Sequence, residues 1–356
     1  MQRSRLPDPV PLTIVAGGIE LPALVAPLLA ARPGALLIGP DQVVEAAMAE
    51  LARLAGTRGG AVGPGMPAGL RIEIVQPDVG ERSAGCPCCR DRLDVVEAVM
   101  VHLRRRHRPT HVVVAVPGPA DDGEPSAVCD GRSSVTTVAH TVLSDPDLRR
   151  HVRLDAVVSS LDAVAAVTRL RTGGQLGGPV ELERLAVADR LVVGRADQVA
   201  DDAFVELVRP LRAVNRIAPV LAPALGRVRP AQLLGVDAWH GAPTVTTADL
   251  DEPVPAGAPR TVVLEQQGTL DPGGVEEWLD EVIRRHAPRL QRLQGALSVD
   301  GRRHRMCCHG VGSYAMSHPE HEDRPDRRTG SSLVVLIGDG LPAAELAEQL
   351  ASTVLH

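Results

Sequence analysis

The sequence contains no lysine, so arginine provides all 38 of its basic side chains. Aromatic residues are nearly absent too, with two tryptophans, one tyrosine and one phenylalanine in 356 residues. A hydrophobic core must therefore be built from valine, leucine, alanine and isoleucine. The missing lysine excludes every site that depends on a lysine amine, including the standard phosphate-binding loop G-x-x-x-x-G-K-[ST].

The sequence also lacks excess positive charge and long apolar runs. The formal net charge is −6, so general attraction to nucleic acid or to an anionic membrane is not expected. Residues 1–10 are polar and contain proline, unlike a secretory leader, and no apolar run reaches transmembrane length. These features predict a cytoplasmic protein, in which thiols stay reduced and clustered cysteines serve metal or redox chemistry.

Short apolar runs alternate with amphipathic stretches along the first 250 residues. The predicted strands are 11–16, 35–38, 71–75, 111–116, 154–160, 190–193 and 217–221. The predicted helices between them include 21–31 and 43–54. Strands that alternate with helices form parallel sheets covered on both faces. We therefore expect an α/β fold with a doubly wound, mainly parallel sheet.

A second domain is predicted after a segment rich in proline and acid, residues 249–259. Strands are expected at 261–265, 297–299, 305–311 and 333–337, and helices at 275–285 and 341–350. The predicted division is a first domain over 1–250 and a smaller α/β domain over 251–356.

Three of the six cysteines, Cys86, Cys88 and Cys89, lie within four residues. They directly precede an amphipathic run, and a helix starting near Arg90 would direct its positive dipole end at the thiols. This lowers thiol pKa values and favours the thiolate, which binds zinc or copper(I) and attacks electrophiles. The structural alternative is a buried turn in which the cysteines only pack.

The sequence G-C-P-C-C at 85–89 resembles the G-C-x-C-C motif of the CobW-type metallochaperone GTPases. Further segments resemble that family in the same order: 112–121 (VVVAVPGPAD), 157–163 (VVSSLDA), 188–199 (ADRLVVGRADQV), 270–285, 294–295, 310–311 and 334–340. The resemblance covers nearly the whole chain. It implies a P-loop NTPase-like first domain, a CobW C-terminal-like second domain, and zinc binding.

The stretch corresponding to the phosphate loop, 16–22 (AGGIELP), departs from the family pattern. It keeps Gly17 and Gly18, but it has no lysine, and Glu20 would repel a phosphate. Pro22 lacks the N–H group that such a loop uses to hold phosphate oxygens.

Two further nucleotide elements differ from the family pattern. Ala115 stands where the family has an acidic residue, and Gly194 and Arg195 replace the asparagine and lysine of the base-reading motif, of which only Asp197 remains. We therefore expect a remnant nucleotide site at Gly17, Gly18 and Asp197, no GTP hydrolysis, and at best weak GTP binding. The alternative is an active GTPase in which Arg32 or Arg195 replaces the lysine.

The leading hypothesis is a CobW-like protein that binds one zinc at Cys86, Cys88 and Cys89 and has lost nucleotide hydrolysis. It would act through a protein partner, either a metal recipient or a ribosome-associated factor, without contacting nucleic acid or membrane. Loss of the P-loop with retention of the cysteines resembles the actinobacterial subgroup that recruits a ribosome hibernation factor under zinc starvation. The fourth ligand would come from water, from a partner or from a side chain brought in by the fold, and Glu73 is the closest carboxylate candidate. The third hypothesis is a redox-sensing adaptor that uses Cys88 and Cys89.

A second group of metal-binding residue types lies at 303–309 (RHRMCCH), followed by His318. If this segment is a strand, His304 and Cys308 share one face, and Cys307 and His309 share the other. The favoured interpretation is a solvated polar loop beside two packed cysteines, and zinc binding is the alternative. Cys129 is expected to be a lone buried residue.

Overall fold

The computed structural model describes residues 8–55, 67–74, 87–105, 107–118, 134–223, 228–245, 258–320 and 330–355. Its first sheet has seven strands in the order β3-β2-β4-β1-β5-β6-β7, and every pairing is parallel. The strands are β1 (Val10–Gly17), β2 (Leu36–Gly39), β3 (Arg71–Ile74), β4 (Val112–Pro117), β5 (Val152–Asp162), β6 (Arg190–Gly194) and β7 (Val220–Leu221).

Helices cover both faces of this sheet. They are α1 (Leu21–Ala31), α2 (Asp41–Leu54), α3 (Pro87–Leu103), α4 (Ser134–Ser144), α5 (Pro146–Arg149), α6 (Ala163–Arg171), α7 (Pro179–Val187) and α8 (Asp201–Val214). Side chains of α3 and α4 pack on one face of the central strands, and those of α1 and α2 pack on the other. The doubly wound parallel sheet predicted from the sequence is thereby confirmed.

The second sheet is antiparallel, with the strand order β11-β10-β9-β12-β8. Its elements are β8 (Arg260–Gln267), α9 (Pro272–His286), β9 (Leu290–Leu297), β10 (Met306–Val311), β11 (Tyr314–Pro319), β12 (Ser331–Gly338) and α10 (Ala343–Ala351). Helices α9 and α10 pack on one face of the sheet, through Trp278 and Leu350 among others. The opposite face is turned toward the first domain.

Two strands of the second sheet were missed by the sequence, and one was misplaced. The segment predicted as a strand at 297–299 is only the end of β9 and the turn after it. Inside β9, Arg292 and Gln294 interrupt the apolar pattern, although both are buried in the folded chain. β11 lies at the edge of the sheet and is only partly buried, so its sequence carries little apolar periodicity.

The two domains share apolar contacts. Val335 and Ile337 of β12 belong to the same core as residues of α7 and α8. Most of the predicted linker, residues 249–257, lies outside the described ranges, but Ala258 near its end is buried in this shared core. The limits 1–250 and 251–356 stay a prediction. Within the described ranges, no helix combines the length and the apolar character needed to cross a membrane.

Candidate functional site

The cysteine motif lies at the start of α3. The helix begins at Pro87, not near Arg90 as predicted, because proline is well accepted in the first helical turn. Cys88 and Cys89 are therefore part of that first turn. Cys86 lies outside the described residues, as does Cys129. Zinc binding by the three cysteines stays a prediction.

Glu73 is not placed to complete such a site. Its Oε2 lies 2.7 Å from Nε2 of the buried His102, near the C-terminal end of α3. His102 is 14 positions beyond Cys88, a distance of about 21 Å along a helix that rises 1.5 Å per residue. The expectation that Glu73 supplies the fourth ligand is therefore wrong, because its carboxylate is held at the opposite end of the helix.

The turn between β1 and α1 contains a carboxylate, that of Glu20, which accepts hydrogen bonds from neighbouring groups. β1 ends at Gly17, α1 begins at Leu21, and Glu20 lies between them. Ser160 Oγ donates to Glu20 Oε1 at 2.6 Å, and the Gly18 amide donates to the same oxygen at 3.3 Å. In phosphate-binding loops the corresponding amides point at the ligand. Here a backbone donor that could bind an anion is already directed at Glu20.

Close packing fixes this arrangement. A Cβ atom at Gly17 would lie 1.9 Å from Ser160 Oγ and 3.3 Å from Glu20 Oε1. A Cβ atom at Gly194, the last residue of β6, would lie 3.4 Å from the Glu20 side chain. Glycine at position 17 is therefore required sterically, and Glu20 fits between the carboxyl ends of β1, β5 and β6.

Arg184 of α7 reaches the same edge of the sheet. Its Nη1 lies 3.2 Å from where a Cβ of Gly118 would stand, just beyond the end of β4. The residue is 4% exposed, its Nη2 is 3.5 Å from Glu181, and its Nε and Nη1 have no hydrogen-bond partner in the described part. Burial lowers the pKa of the Arg184 guanidinium, an effect that the Glu181 and Glu20 carboxylates oppose. Sequence reasoning missed Arg184, because nothing in the helix sequence shows that this arginine is buried.

The other predicted nucleotide residues fall at this carboxyl edge as well. Arg195 has a left-handed backbone (φ 52°), and its Nε donates to Asp162 Oδ2 at 2.5 Å. Asp197 follows in a short 3₁₀ turn and is exposed. Gly17, Gly18 and Asp197 therefore share one edge, whereas Arg32 follows the last residue of α1, at the other end of that helix.

A buried polar chain lies at the amino edge of the same sheet. Thr13 Oγ1 donates to Asp155 Oδ2 at 3.3 Å and lies 2.9 Å from His111 Nε2. Asp155 also accepts from the amides of Gly235 and Asp237. Burial lowers the pKa of His111 to about 4, although the nearby Asp155 opposes the shift. The imidazole is thus neutral at pH 7.

The two domains are joined by a buried ion pair near the start of β6. Arg292 of β9 pairs with Asp189, donates to the Val187 carbonyl at 2.7 Å, and donates to Gln294 Oε1 at 3.0 Å. Its guanidinium also lies 4.6 Å from the centre of the Trp239 ring, whose Nε1 donates to Asp189. A guanidinium from one domain therefore binds a carboxylate, a carbonyl and an aromatic face of the other.

A cavity of about 330 Å³ adjoins this ion pair. Its polar lining includes Asp189, Arg190, Asp237, Arg292 and Gln294. Gln294 Nε2 donates to the carbonyls of Ala238 and Gly241, and Arg190 donates to those of Asp189 and Gln232. Most polar side chains of the cavity lining are thus hydrogen-bonded to other groups of the protein.

In the second predicted metal region, residues 303–305 precede β10 and are exposed or half-buried, whereas Cys307, Cys308 and His309 are buried within the strand, so the two cysteines are packed as expected. In β10, Cys308 packs among the residues beneath α9 and α10, whereas His309 contacts Trp239 of the first domain. Burial raises the pKa of Cys308 to about 12, and burial also lowers the pKa of His309 well below its ordinary value. His304 precedes the strand. Within the described ranges, no three histidine, cysteine or acidic side chains already converge on one metal position.

Comparison with solved structures gives matches along nearly the whole chain. One is the Zn(II)-bound YjiA GTPase from E. coli, at TM-score 0.66 and 18% identity, covering 98% of this chain and 100% of that one. Another is a Zn(II)-bound triple mutant of YjiA, at TM-score 0.67 with the same identity and coverage. At this identity the likeness shows the fold.

A curated relative is Zinc-regulated GTPase metalloprotein activator 1 of Schizosaccharomyces pombe, 22% identical over 158 residues. The match covers 44% of this chain and 34% of that protein, so it spans about a third of the relative's length. Family models match two regions: the nucleotide-binding domain of CobW/HypB/UreG over residues 70–222, and the C-terminal domain of the cobalamin synthesis protein CobW over residues 260–354. The chain thus matches a CobW/HypB/UreG nucleotide-binding domain followed by a CobW C-terminal domain, in this order and on the matching fold.

Proposed function

We propose that this chain is a zinc-handling member of the CobW family that does not hydrolyse GTP. It binds zinc through Cys86, Cys88 and Cys89 and passes the metal, or a zinc-dependent signal, to a protein partner. Support for zinc comes from the three clustered thiols, two of them in the first turn of α3, and from relatives that are named for zinc. Thiolates in such a position suit a soft divalent metal.

The observation that carries the loss of hydrolysis is the carboxylate of Glu20 in the turn between β1 and α1. An incoming phosphate would meet this negative charge, and the Gly18 amide that could bind it already points at Glu20. No lysine exists in the chain to neutralise the phosphates. Electrostatic contacts of this kind contribute several kcal/mol each to phosphoryl transfer, so their loss abolishes turnover.

The zinc site is tested by cobalt substitution. Co(II) bound by thiolates gives a strong sulfur-to-metal charge-transfer absorption, and we expect it from the reduced chain. Cys86→Ala, Cys88→Ala and Cys89→Ala should each weaken or remove it, while Cys129→Ala, the matched control, should leave it intact. The YjiA triple mutant still binds Zn(II), although a glutamate and two consecutive cysteines are replaced. Metal content alone therefore does not identify the ligands, and each cysteine is replaced separately. Equal absorption in all three variants would contradict the proposed site.

The partner is proposed to be either a metal recipient or a ribosome-associated factor. Under the second proposal, the chain should co-sediment with ribosomes in extracts of zinc-starved cells and not of zinc-replete cells. Cys88→Ala should abolish that difference. Zinc transfer from the loaded chain to a purified recipient, without ribosome association, would favour the first proposal.

GTP binding is the second candidate function, and Arg184 is the observation that favours it. Beside the glycines that end β1 and follow β4, two nitrogens of this buried guanidinium have no hydrogen-bond partner in the part of the chain that the structure describes. It could supply the positive charge that the missing lysine would give. Titration with GTP and Mg²⁺ separates the candidates: saturable binding that Glu20→Gln strengthens and Arg184→Gln removes would establish the second. Absence of binding in the wild type and in Glu20→Gln would exclude the second.

A further inference from the structure

Three histidines meet where the second sheet faces the first domain. His309 lies in β10, His318 in β11, and His240 in the segment after β7. The ring centres of His309 and His318 are 5.3 Å apart, and those of His318 and His240 are 5.6 Å apart. Two domains thus contribute imidazoles to one cluster.

The histidine cluster (His240, His309 and His318) contains an unsatisfied buried ring. His309 is fully buried, and neither of its nitrogens has a hydrogen-bond partner in the described part of the chain. A neutral imidazole carries one donor and one acceptor, and leaving such groups buried and unpaired is unfavourable. The neighbouring Trp239 ring, with its centre 5.9 Å away, accepts no regular hydrogen bond from His309. Orphaned buried nitrogens of this kind are explained by a bound water or ion that completes their hydrogen bonding or coordination.

The spacing of the rings suits a shared zinc ion. Zinc binds imidazole nitrogen at about 2.0–2.1 Å in a tetrahedron, which places the centres of two bound rings about 5 Å apart. The observed separations are close to this value, but His309 and His318 are nearly parallel, at 6°, so their nitrogens do not yet converge. Besides its ring contacts with His309 and His240, His318 hydrogen-bonds to the backbone oxygens of Pro319 and Trp239.

We propose that the histidine cluster is a second zinc site, formed by His309, His318 and His240 and separate from the cysteine motif. Cys307 is the fourth donor: it pairs directly with His318 across β10 and β11, and it lies on the same face of β10 as His309. Asp237 Oδ1 lies 2.9 Å from His240 Nδ1, the carboxylate placement that orients a histidine with its Nε2 toward a metal.

The consequence of this second site is a metal link between the domains. His240 belongs to the first domain, whereas His309, His318 and Cys307 belong to the second. Four protein donors make a closed site, which is typical of structural rather than transferable zinc. Zinc bound there would hold the domains together while the cysteine motif exchanges its own metal.

The test uses the full chain with Cys86, Cys88 and Cys89 all replaced by alanine, so that failure of the cysteine site cannot affect it. In this background we expect one equivalent of zinc, measured against a chromogenic chelator. His240→Gln combined with His318→Gln should lower the affinity more than ~10-fold. The rings of His240 and His318 are partly exposed. In the presence of chelator, the double variant should therefore unfold at the same thermal midpoint as the background. The exposed His107→Gln is the matched control and should bind like the background.

Zinc should also raise the thermal midpoint of the background and of His107→Gln, but not that of the double variant. Co(II) in the background should give d–d absorption with far weaker sulfur charge transfer than the cysteine motif gives. No zinc bound in the background would overturn the proposal. Equal zinc affinity in the double variant and the control would do so too.

Discussion

A buried arginine lies at each edge of the parallel sheet, and the two differ in how completely their nitrogens are hydrogen-bonded. Arg292, 1% exposed at the amino edge, is paired with Asp189, a carbonyl, Gln294 and the Trp239 ring, and only its Nε lacks a partner. Arg184, 4% exposed at the carboxyl edge, has one ion pair at 3.5 Å and two nitrogens without a hydrogen-bond partner among the described residues. In α/β sheets ligands bind at the carboxyl ends of the strands. Polar groups at the amino edge stabilise the assembled domains, whereas those at the carboxyl edge stay incompletely paired.

The largest expected effect is at the amino edge. Arg292→Met should destabilise the protein by about 3–5 kcal/mol, because Asp189 would remain buried without its cation. Urea unfolding followed by the fluorescence of Trp239 and Trp278 measures this. Limited proteolysis within 249–259 should also become faster, since the domains separate more readily. A loss below about 1 kcal/mol would mean that Arg292 does not hold the domains together.

The second effect is a pH dependence at the same edge. The folded-state pKa of His111, about 4, lies below its unfolded value of 6.5, so the unfolded chain binds more protons between these pH values. The contribution of neutral His111 to the free energy of unfolding is therefore fully present above pH 6.5. It falls by on the order of 3 kcal/mol as the pH drops to about 4. Denaturation at pH 7, 6, 5 and 4 should show a flatter dependence for His111→Gln than for wild type. The exposed His107→Gln should match wild type.

A smaller effect is expected at Asp162, at the carboxyl edge. Its Oδ1 accepts from the Ala165 amide and caps α6, and its Oδ2 binds Arg195. Asp162→Ala should cost about 1 kcal/mol, the usual value of an N-cap. Asp271→Ala, which removes the corresponding cap of α9, should cost a similar amount. A much larger loss at Asp162 alone would show that the carboxyl edge also supports the fold.

The smallest effect should come from Arg184. Arg184→Met removes a buried charge that is poorly paired, so the free energy of unfolding should change by less than about 1 kcal/mol or rise. Glu181 keeps a second arginine partner, Arg169. Measured beside Arg292→Met, this change compares the two edges with the same substitution. Equal losses at both arginines would remove the distinction between them.

The sequence predicted the first domain better than the second, for a physical reason. Parallel strands buried on both faces are continuous apolar runs, so β1, β4 and β5 were found within one or two residues of their ends. β9 was missed because Arg292 and Gln294 are polar residues buried by partners from another domain. The sequence identified Glu20 as unfavourable for phosphate. It could not show that Ser160 donates a hydrogen bond to Glu20, because these residues are 140 positions apart. It also could not show that Arg184 approaches the same edge, because that depends on the burial of its side chain.

The two cysteines of β10 affect how the thiols of this chain can be labelled. Both are fully buried, the Cys308 thiol has its pKa raised to about 12, and its sulfur is so enclosed that a Cβ on Gly295 would come within 2.7 Å. An alkylating reagent added to the folded protein therefore does not reach Cys307 and Cys308. Cys307 and Cys308 become reactive when β10 leaves the sheet, so the rate at which they are alkylated reports the opening of the second domain.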